Sequence, residues 1–197
     1  MIIGSLEHEL SVIRIIDSGE ETELLLCRDL RKKKEQECLV LRILDQEQIR
    51  RQMPLLCAQA ADPAFGDFLG CFSAQGALCC LFRWKEGTLL SEKLAAEPFS
   101  LRERLTAGRN LFAHMMELNM DPRIQQEALR DENLLLDDTL AVHFNYILRE
   151  LPGEDDKESP VLYQRIGEIL RLLFERELEQ KVSPELKAFI EAAEQGQ

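Results

Sequence analysis

Positive charge, histidine and aromatic rings are scarce in this chain. Of 197 residues, 24 are Lys or Arg against 36 Asp or Glu, a formal charge of −12. A nucleic-acid binder needs a cationic surface to displace counterions from phosphates, so no nucleic-acid partner is expected. A protein docking on anionic lipid needs the same surface. Apolar runs are short: Ala77–Phe82 is typical, against the roughly 20 residues that cross a bilayer, so no membrane insertion is expected. The opening residues, MIIGSLEHEL, carry no basic start and no cleavage signal, which points to a cytoplasmic protein. Three histidines (His8, His114, His143) are scattered among six cysteines that form no C-x-x-C pair, so no zinc or other metal site is expected. Cys27, Cys38, Cys57, Cys71, Cys79 and Cys80 read as buried apolar thiols in a reducing compartment. Neither a Walker-type loop nor a nucleophile elbow occurs.

Apolar residues are plentiful, at 45% against 30% charged, an ordinary globular composition. The first half reads as strands. Leu10–Ile16 is rich in β-branched residues and ends at Asp17-Ser18-Gly19, a turn signal. Glu23–Cys27 and Cys38–Leu44 follow, separated by the charged connector Arg28–Gln36. Asp67–Phe72 and Leu78–Phe82 are two more, joined through Ala74-Gln75-Gly76. A period of two sets Leu39, Leu41 and Ile43 on one face and Val40 and Arg42 on the other, which leaves a charge on an otherwise apolar strand. Asp45 caps a helix running toward Ala60, with Gln48 at N3 and a disturbance at Pro54.

The second half reads as helical. Ser100–Glu103 has the capping-box form, and Leu101, Leu105, Phe112, Met115 and Leu118 make one stripe. Asp121–Glu132 looks like a loop, and Leu134–Leu136 and Ala141–Phe144 flank a hairpin signal at Asp137-Asp138. Pro152–Glu158 is an acidic linker, Ser159-Pro160 opens a helix, and Ser183-Pro184 starts a last short one.

This order resembles the protein kinase fold. "SGEETELLLCRDLRKKKEQECLVLRIL" is similar to the glycine-rich loop, its hairpin and the strand bearing the phosphate-binding Lys. "LCCLFRWKEGTLL" resembles the fifth strand and hinge, and "LRERLTAGRNLFAHMMELN" the long helix of the large lobe. "ALRDENLLLDDTLAVHFNYIL" resembles the catalytic and metal-binding loops. The likeness covers residues 8 to 148. It implies a bilobal α+β fold: an N-lobe over 1–85 with five antiparallel strands and one helix, then a truncated helical C-lobe over 86–197.

Matched residue by residue, the resemblance implies lost chemistry. Phosphoryl transfer needs held phosphates, held Mg²⁺ and a carboxylate that orients a hydroxyl. The loop glycine positions fall on Asp17, Gly19 and Thr22, leaving one glycine, and Glu20, Glu21 and Glu23 add negative charge there. The Lys position falls on Arg42, whose planar fork does not replace an ammonium, and Val40 stands where a small residue would lie under adenine. The following helix offers Arg42 only Glu47, too close in sequence to pair with it. The His-Arg-Asp positions fall on Gln126, Glu127 and Ala128, and Ala128 cannot steer a proton. Asn133 keeps the second metal ligand, but Tyr146 replaces the metal Asp, and a phenol is a poor Mg²⁺ ligand.

The resemblance therefore implies a pseudokinase that binds no ATP, metal or cofactor and works as an interaction or scaffold module for a protein partner. Its Glu132-Asn133 pair and short tail after Tyr146 are similar to the bacterial pseudokinase domain of the type VII secretion membrane protein. The alternative is an atypical ATP-binding phosphotransferase using Arg42, Glu127 and Asn133. Trp84, between Arg83 and Lys85 at the hinge position, either packs between lobes or anchors a partner. Phe82 falls where a kinase gates the back of its nucleotide pocket, and its bulk with that of Val40 suggests a filled pocket. Arg31–Lys34 is a solvated turn or a contact for an acidic partner.

Overall fold

A computed structural model describes the whole chain except residues 33–35, 63, 97–98, 119, 150, 152–159, 180–183 and 196–197. The expected acidic linker, Lys33 and Lys34 lie outside the described residues. The fold is mixed α+β and divides into two compact units. The first comprises Met1–Lys85, Leu118–Met120 and Asn145–Leu151, and the second Glu86–Glu117, Asp121–Phe144 and Pro152–Gln197.

The first unit is built on β1 (Ile2–Gly4), β2 (Glu9–Ser18), β3 (Thr22–Asp29), β4 (Gln36–Ile43), α1 (Gln46–Ala60), β5 (Phe68–Ala74) and β6 (Ala77–Arg83). The strands pair antiparallel in the order β1-β2-β3-β4-β6-β5. The expectation of five strands is corrected to six. Three residues are too few to show a period of two, so β1 left no pattern to read. Its Ile3 is nonetheless fully buried.

That extra strand forms one edge of the sheet, with β5 at the other. One face carries a single apolar cluster of Ile3, Leu10, Leu25, Cys27, Cys38, Val40, Ala74, Cys79 and Leu81. Ile3 and Ala74 belong to opposite edge strands, and both side chains face this cluster. The edges also meet in polar contact: the Gln75 amide donates to the Ile2 carbonyl at 3.3 Å, and the His8 ring stacks on Phe72 at 5.5 Å. Two bulges in β2, at Ile13 and Ile16, add the local twist that a curl requires. Gln75 (φ 52°) and Gly76 (φ 77°) turn β5 into β6 with consecutive positive φ angles, as a tight two-residue hairpin demands.

The opposite face holds Leu39, Leu41, Leu78, Cys80 and Phe82, all buried, by the alternation of β4 and β6. Helix α1 packs against β4, β5 and β6 and buries Leu55 and Leu56. Asp45 caps it as expected, its carboxylate accepting from the Gln48 N–H at 2.8 Å, and the helix runs through Pro54 unbroken. The cysteines depart from the uniform burial expected of them: Cys57 is exposed and Cys71 half-buried.

The second unit contains β7 (Thr88–Leu89), α2 (Leu90–Ala96), α3 (Leu101–Glu117), α4 (Pro122–Ala128), a 3-10 turn at Asp131–Asn133, β8 (Leu134–Leu136), β9 (Val142–Phe144), α5 (Pro160–Glu179) and α6 (Pro184–Glu194). It is not helical alone, because β7, β8 and β9 form a second sheet. Gly87 lies close beside it: a Cβ there would stand 3.1 Å from both Leu135 Cβ and the Leu136 carbonyl oxygen, a tight fit that a neighbour would have to relieve. Ser100 and Glu103 form the expected reciprocal cap of α3. The stripe of α3 is corrected: Leu101 and Leu105 are exposed, and Arg104, Ala107, Gly108 and Leu111 are buried. Arg104 is held inside by the Phe99 and Leu173 carbonyls, at 3.1 and 2.8 Å, so the helix turns its arginine inward. The stretch expected as loop contains α4, with Asp121 as its N-cap and Pro122 in its first turn. Among the described residues no helix is long and apolar enough to cross a membrane.

If β1 is an integral edge of the sheet, Ile3→Ala should destabilise the protein by about 2–4 kcal/mol, as expected for truncating a fully buried side chain. Urea unfolding followed by circular dichroism measures it, and a change below about 0.5 kcal/mol would mean that β1 is dispensable.

Candidate functional site

Arg42 points into the curled sheet. It shares its face with Val40 and lies directly across from Cys79 on β6 and Glu23 on β3. A guanidinium that is only 8% exposed among apolar side chains needs a carboxylate. Glu23 supplies it, with Nη1 to Oε2 at 2.5 Å. The expectation that Arg42 has no partner is therefore corrected. Its partner comes from the neighbouring strand rather than the following helix, because in an antiparallel ladder directly opposed residues share a face. Glu21, expected like Glu23 to repel phosphate, instead accepts a hydrogen bond from the Gln48 side chain.

Tyr146 lies on the other face. Its ring is fully buried and stacks on Phe82 with centroids 4.3 Å apart and planes at 11°. Phe65 meets it edge-on at 6.0 Å, and Phe68 stacks on Phe82 at 4.8 Å. The phenol donates to Asp67 Oδ2 at 2.9 Å. Asp67 is itself anchored, since its carbonyl accepts from the Arg83 N–H at 2.7 Å and its carboxylate lies 3.7 Å from Arg83 Nε. Burial, with the Asp67 carboxylate close by, pushes the Tyr146 phenol well above its ordinary value. Tyr146 also takes a positive φ of 57°, uncommon for a bulky aromatic and sustained by the packing around it.

Arg42 and Tyr146, both candidates for a phosphate and metal site, thus address opposite faces of one sheet. The filled pocket expected from Val40 and Phe82 together is corrected for the same reason. Val40 pairs with Leu81, while Phe82 opposes Leu39 and shares the other face with it.

In the second unit, α4 and the 3-10 turn bring Glu127, Ala128 and Asn133 together. Ala128 and Asn133 are completely buried. The Asn133 amide donates to the Glu127 carbonyl at 2.8 Å, closing the loop that joins the two segments. The Glu127 side chain is 2% exposed and pairs with Arg130 at 2.9 Å. Its second carboxylate oxygen is buried and has no hydrogen-bond partner among the described residues. Burial raises the Glu127 carboxyl above its ordinary value, against the opposing pull of Arg130. Nearby, Asp137 organises the β8–β9 turn by accepting from Thr139, the Ala141 N–H and the His143 ring. Those bonds outweigh its burial and hold its carboxyl well below the usual range.

Gly19 sits in the β2–β3 turn, its N–H on the Thr22 carbonyl at 2.8 Å. A Cβ there would lie 3.5 Å from that carbonyl oxygen, an ordinary contact, so space does not demand glycine. Asp17 is paired with Arg149 at 3.1 Å. Trp84 is half-buried and lines a shallow depression of about 390 Å³ with Gln36, Glu37, Arg83 and Lys85. Among the described residues no group of three or more His, Cys, Asp or Glu could hold a metal ion. The sequence reading missed Asp67 and Arg104, whose roles depend on contacts 79 and 69 residues away. No local pattern announces either.

Because the folded phenol of Tyr146 titrates above the unfolded one, its contribution is intact below about pH 10 and lost as pH rises through the folded value. In a Tyr163→Phe background, which leaves Tyr146 as the only tyrosine, tyrosinate absorbance should appear together with alkaline unfolding rather than before it. Tyr146→Phe should cost about 1–2 kcal/mol in urea unfolding, by removing the phenol hydrogen bond to Asp67.

Glu127 follows the same sign. Its folded value is raised, so stability is complete below about pH 4.5 and falls as pH climbs through the folded value. Glu127→Gln should remove that fall, so melting curves from pH 4.5 to 8 should separate wild type from variant increasingly toward the alkaline end.

No protein-family model matches this chain, and no curated protein matches it, so its own residues carry the functional argument.

Proposed function

We propose that this chain is a degenerate kinase-like domain that carries out no phosphoryl transfer and works as an interaction or scaffold module for a protein partner. In this reading Met1–Lys85 of the first unit corresponds to the N-lobe and the second unit to a truncated C-lobe. The observation that carries it is Tyr146. At the position matched to the metal Asp, an aromatic ring is stacked on Phe82 and its hydroxyl is given to Asp67. Neither group is presented to a cation, and Mg²⁺ requires carboxylate, phosphate or water oxygens.

Three further features support the same reading. Arg42 is engaged by Glu23 inside the curled sheet, so its charge is already paired. Ala128 has no group to orient a hydroxyl, and Asn133 braces the loop beside it. These pairings weigh against the atypical phosphotransferase, which would draw Arg42, Glu127 and Asn133 from their present partners. The interaction role falls most naturally on the Trp84 depression, where one aromatic ring lies among Arg83, Lys85, Gln36 and Glu37.

The test is a nucleotide titration. A ligand held at 100 times its Kd adds about 2.7 kcal/mol to native stability, roughly 5 °C or more in a chain of this size. ATP or ADP with Mg²⁺ or Mn²⁺ should leave the melting temperature unchanged, and incubation with labelled ATP should transfer no phosphate. A metal-dependent rise that Arg42→Met abolishes would overturn the proposal in favour of the phosphotransferase.

A further inference from the structure

Two of the six cysteines stand apart from the rest. Cys27, Cys38, Cys79 and Cys80 are buried, out of reach of a dissolved oxidant. Cys57, on α1, is exposed, and Cys71, on β5, is half-buried. Their sulfurs lie 3.9 Å apart, in contact across the seam where α1 packs on β5. A disulfide requires about 2.05 Å, so the pair must close by about 2 Å. Cys57 meets solvent. Cys71 sits behind it, its thiol raised to about 11 by burial and by the neighbouring Cys57 sulfur. With no third ligand available among the described residues, the pair lacks a metal site and is left with thiol chemistry.

We infer that Cys57 and Cys71 form an oxidisable dithiol, which hydroperoxides close into a disulfide tying α1 to β5. In the first step the Cys57 thiolate attacks one peroxide oxygen. The S–O bond forms, the O–O bond breaks, and the departing hydroxide takes up a proton as water. Cys57 is then a sulfenic acid, oxidised by two electrons, and the peroxide is reduced. In the second step the Cys71 sulfur attacks Cys57 Sγ. The S–S bond forms, the S–O bond breaks, and the hydroxyl leaves as water with the Cys71 proton. Two thiols and one hydrogen peroxide thus give one disulfide and two waters. The exposed residue takes the oxidant, and the sheltered one resolves it before further oxidation. The product would clamp the helix covalently to the edge strand, beside the hydrogen bonds that Gln46 and Gln48 already make to Gly76 and Glu21.

The experiment treats the full chain with hydrogen peroxide, alkylates the remaining thiols and measures intact and peptide masses. Trypsin alone cannot resolve the link, because no Lys or Arg lies between Arg51 and Arg83, so cleavage before Asp62 and Asp67 is added to separate Cys57 from Cys71. The expected result is the joint loss of two of the six thiols, an intact mass lower by two hydrogens, and a peptide pair linked through Cys57 and Cys71 and split by reductant. Cys71→Ser should instead accumulate a Cys57 sulfenic acid trapped by dimedone, and Cys57→Ser should retain its thiols over the same interval. Both substitutions are small and lie outside the buried core, and circular dichroism checks that each variant folds. The proposal is overturned if Cys57 passes to the sulfinic or sulfonic acid while Cys71 of the wild type stays alkylatable. A link through Cys80, directly across from Cys71 on β6, or one that joins two chains, would overturn it equally.

Discussion

The Gln75 amide, in the turn that follows edge strand β5, reaches the Ile2 carbonyl of the opposite edge strand β1, and the six-stranded sheet between them is curled. Much else in the first unit follows from it. A curled sheet has an inside that must be filled, and Leu10, Leu25, Val40 and Leu81 fill it. Arg42 falls on the same face by the alternation of its strand, so its charge enters a region where an unpaired ion would be costly. Glu23, opposite in the ladder, is the nearest remedy that register allows. The ion pair is thus a consequence of the curl, and it occupies the cation that a nucleotide would have needed.

The outer face obeys the same alternation with a different outcome. Phe82 points away from the filled interior, toward Phe65, Phe68 and the returning segment that carries Tyr146. A polar hydroxyl in that aromatic cluster must find an acceptor, and Asp67 lies at the foot of β5 to provide one. The two candidate residues that chemistry would have brought together are held apart by a period of two, which no substitution at either position would undo.

Much of this was legible in the sequence, and what was not has identifiable causes. Strands β2 to β6 and helix α1 announced themselves through alternation, β-branched residues and the Asp45 cap. Strand β1 did not, because three residues carry no period. Helix α4 was hidden because its seven residues present no stripe, although Asp121-Pro122 was a sound start signal in retrospect. The apolar stripe of α3 was misplaced because Arg104 lies on the buried face, and periodicity counts only apolar side chains. The fates of Tyr146 and Arg42 depended on Asp67 and on register with Glu23. Long-range pairing of that kind is set by folding and leaves no mark on local sequence.

The first unit is discontinuous in the chain: it borrows Leu118–Met120 and Asn145–Leu151 from beyond its own boundary. A gene shortened to codons 1–85 would therefore lack the Tyr146 ring that stacks on Phe82 and meets Phe65 edge-on. Modular excision, the usual first step in dissecting a two-part protein, would here yield an incomplete remnant. Any minimal version would have to splice the 145–151 tail back on through a linker.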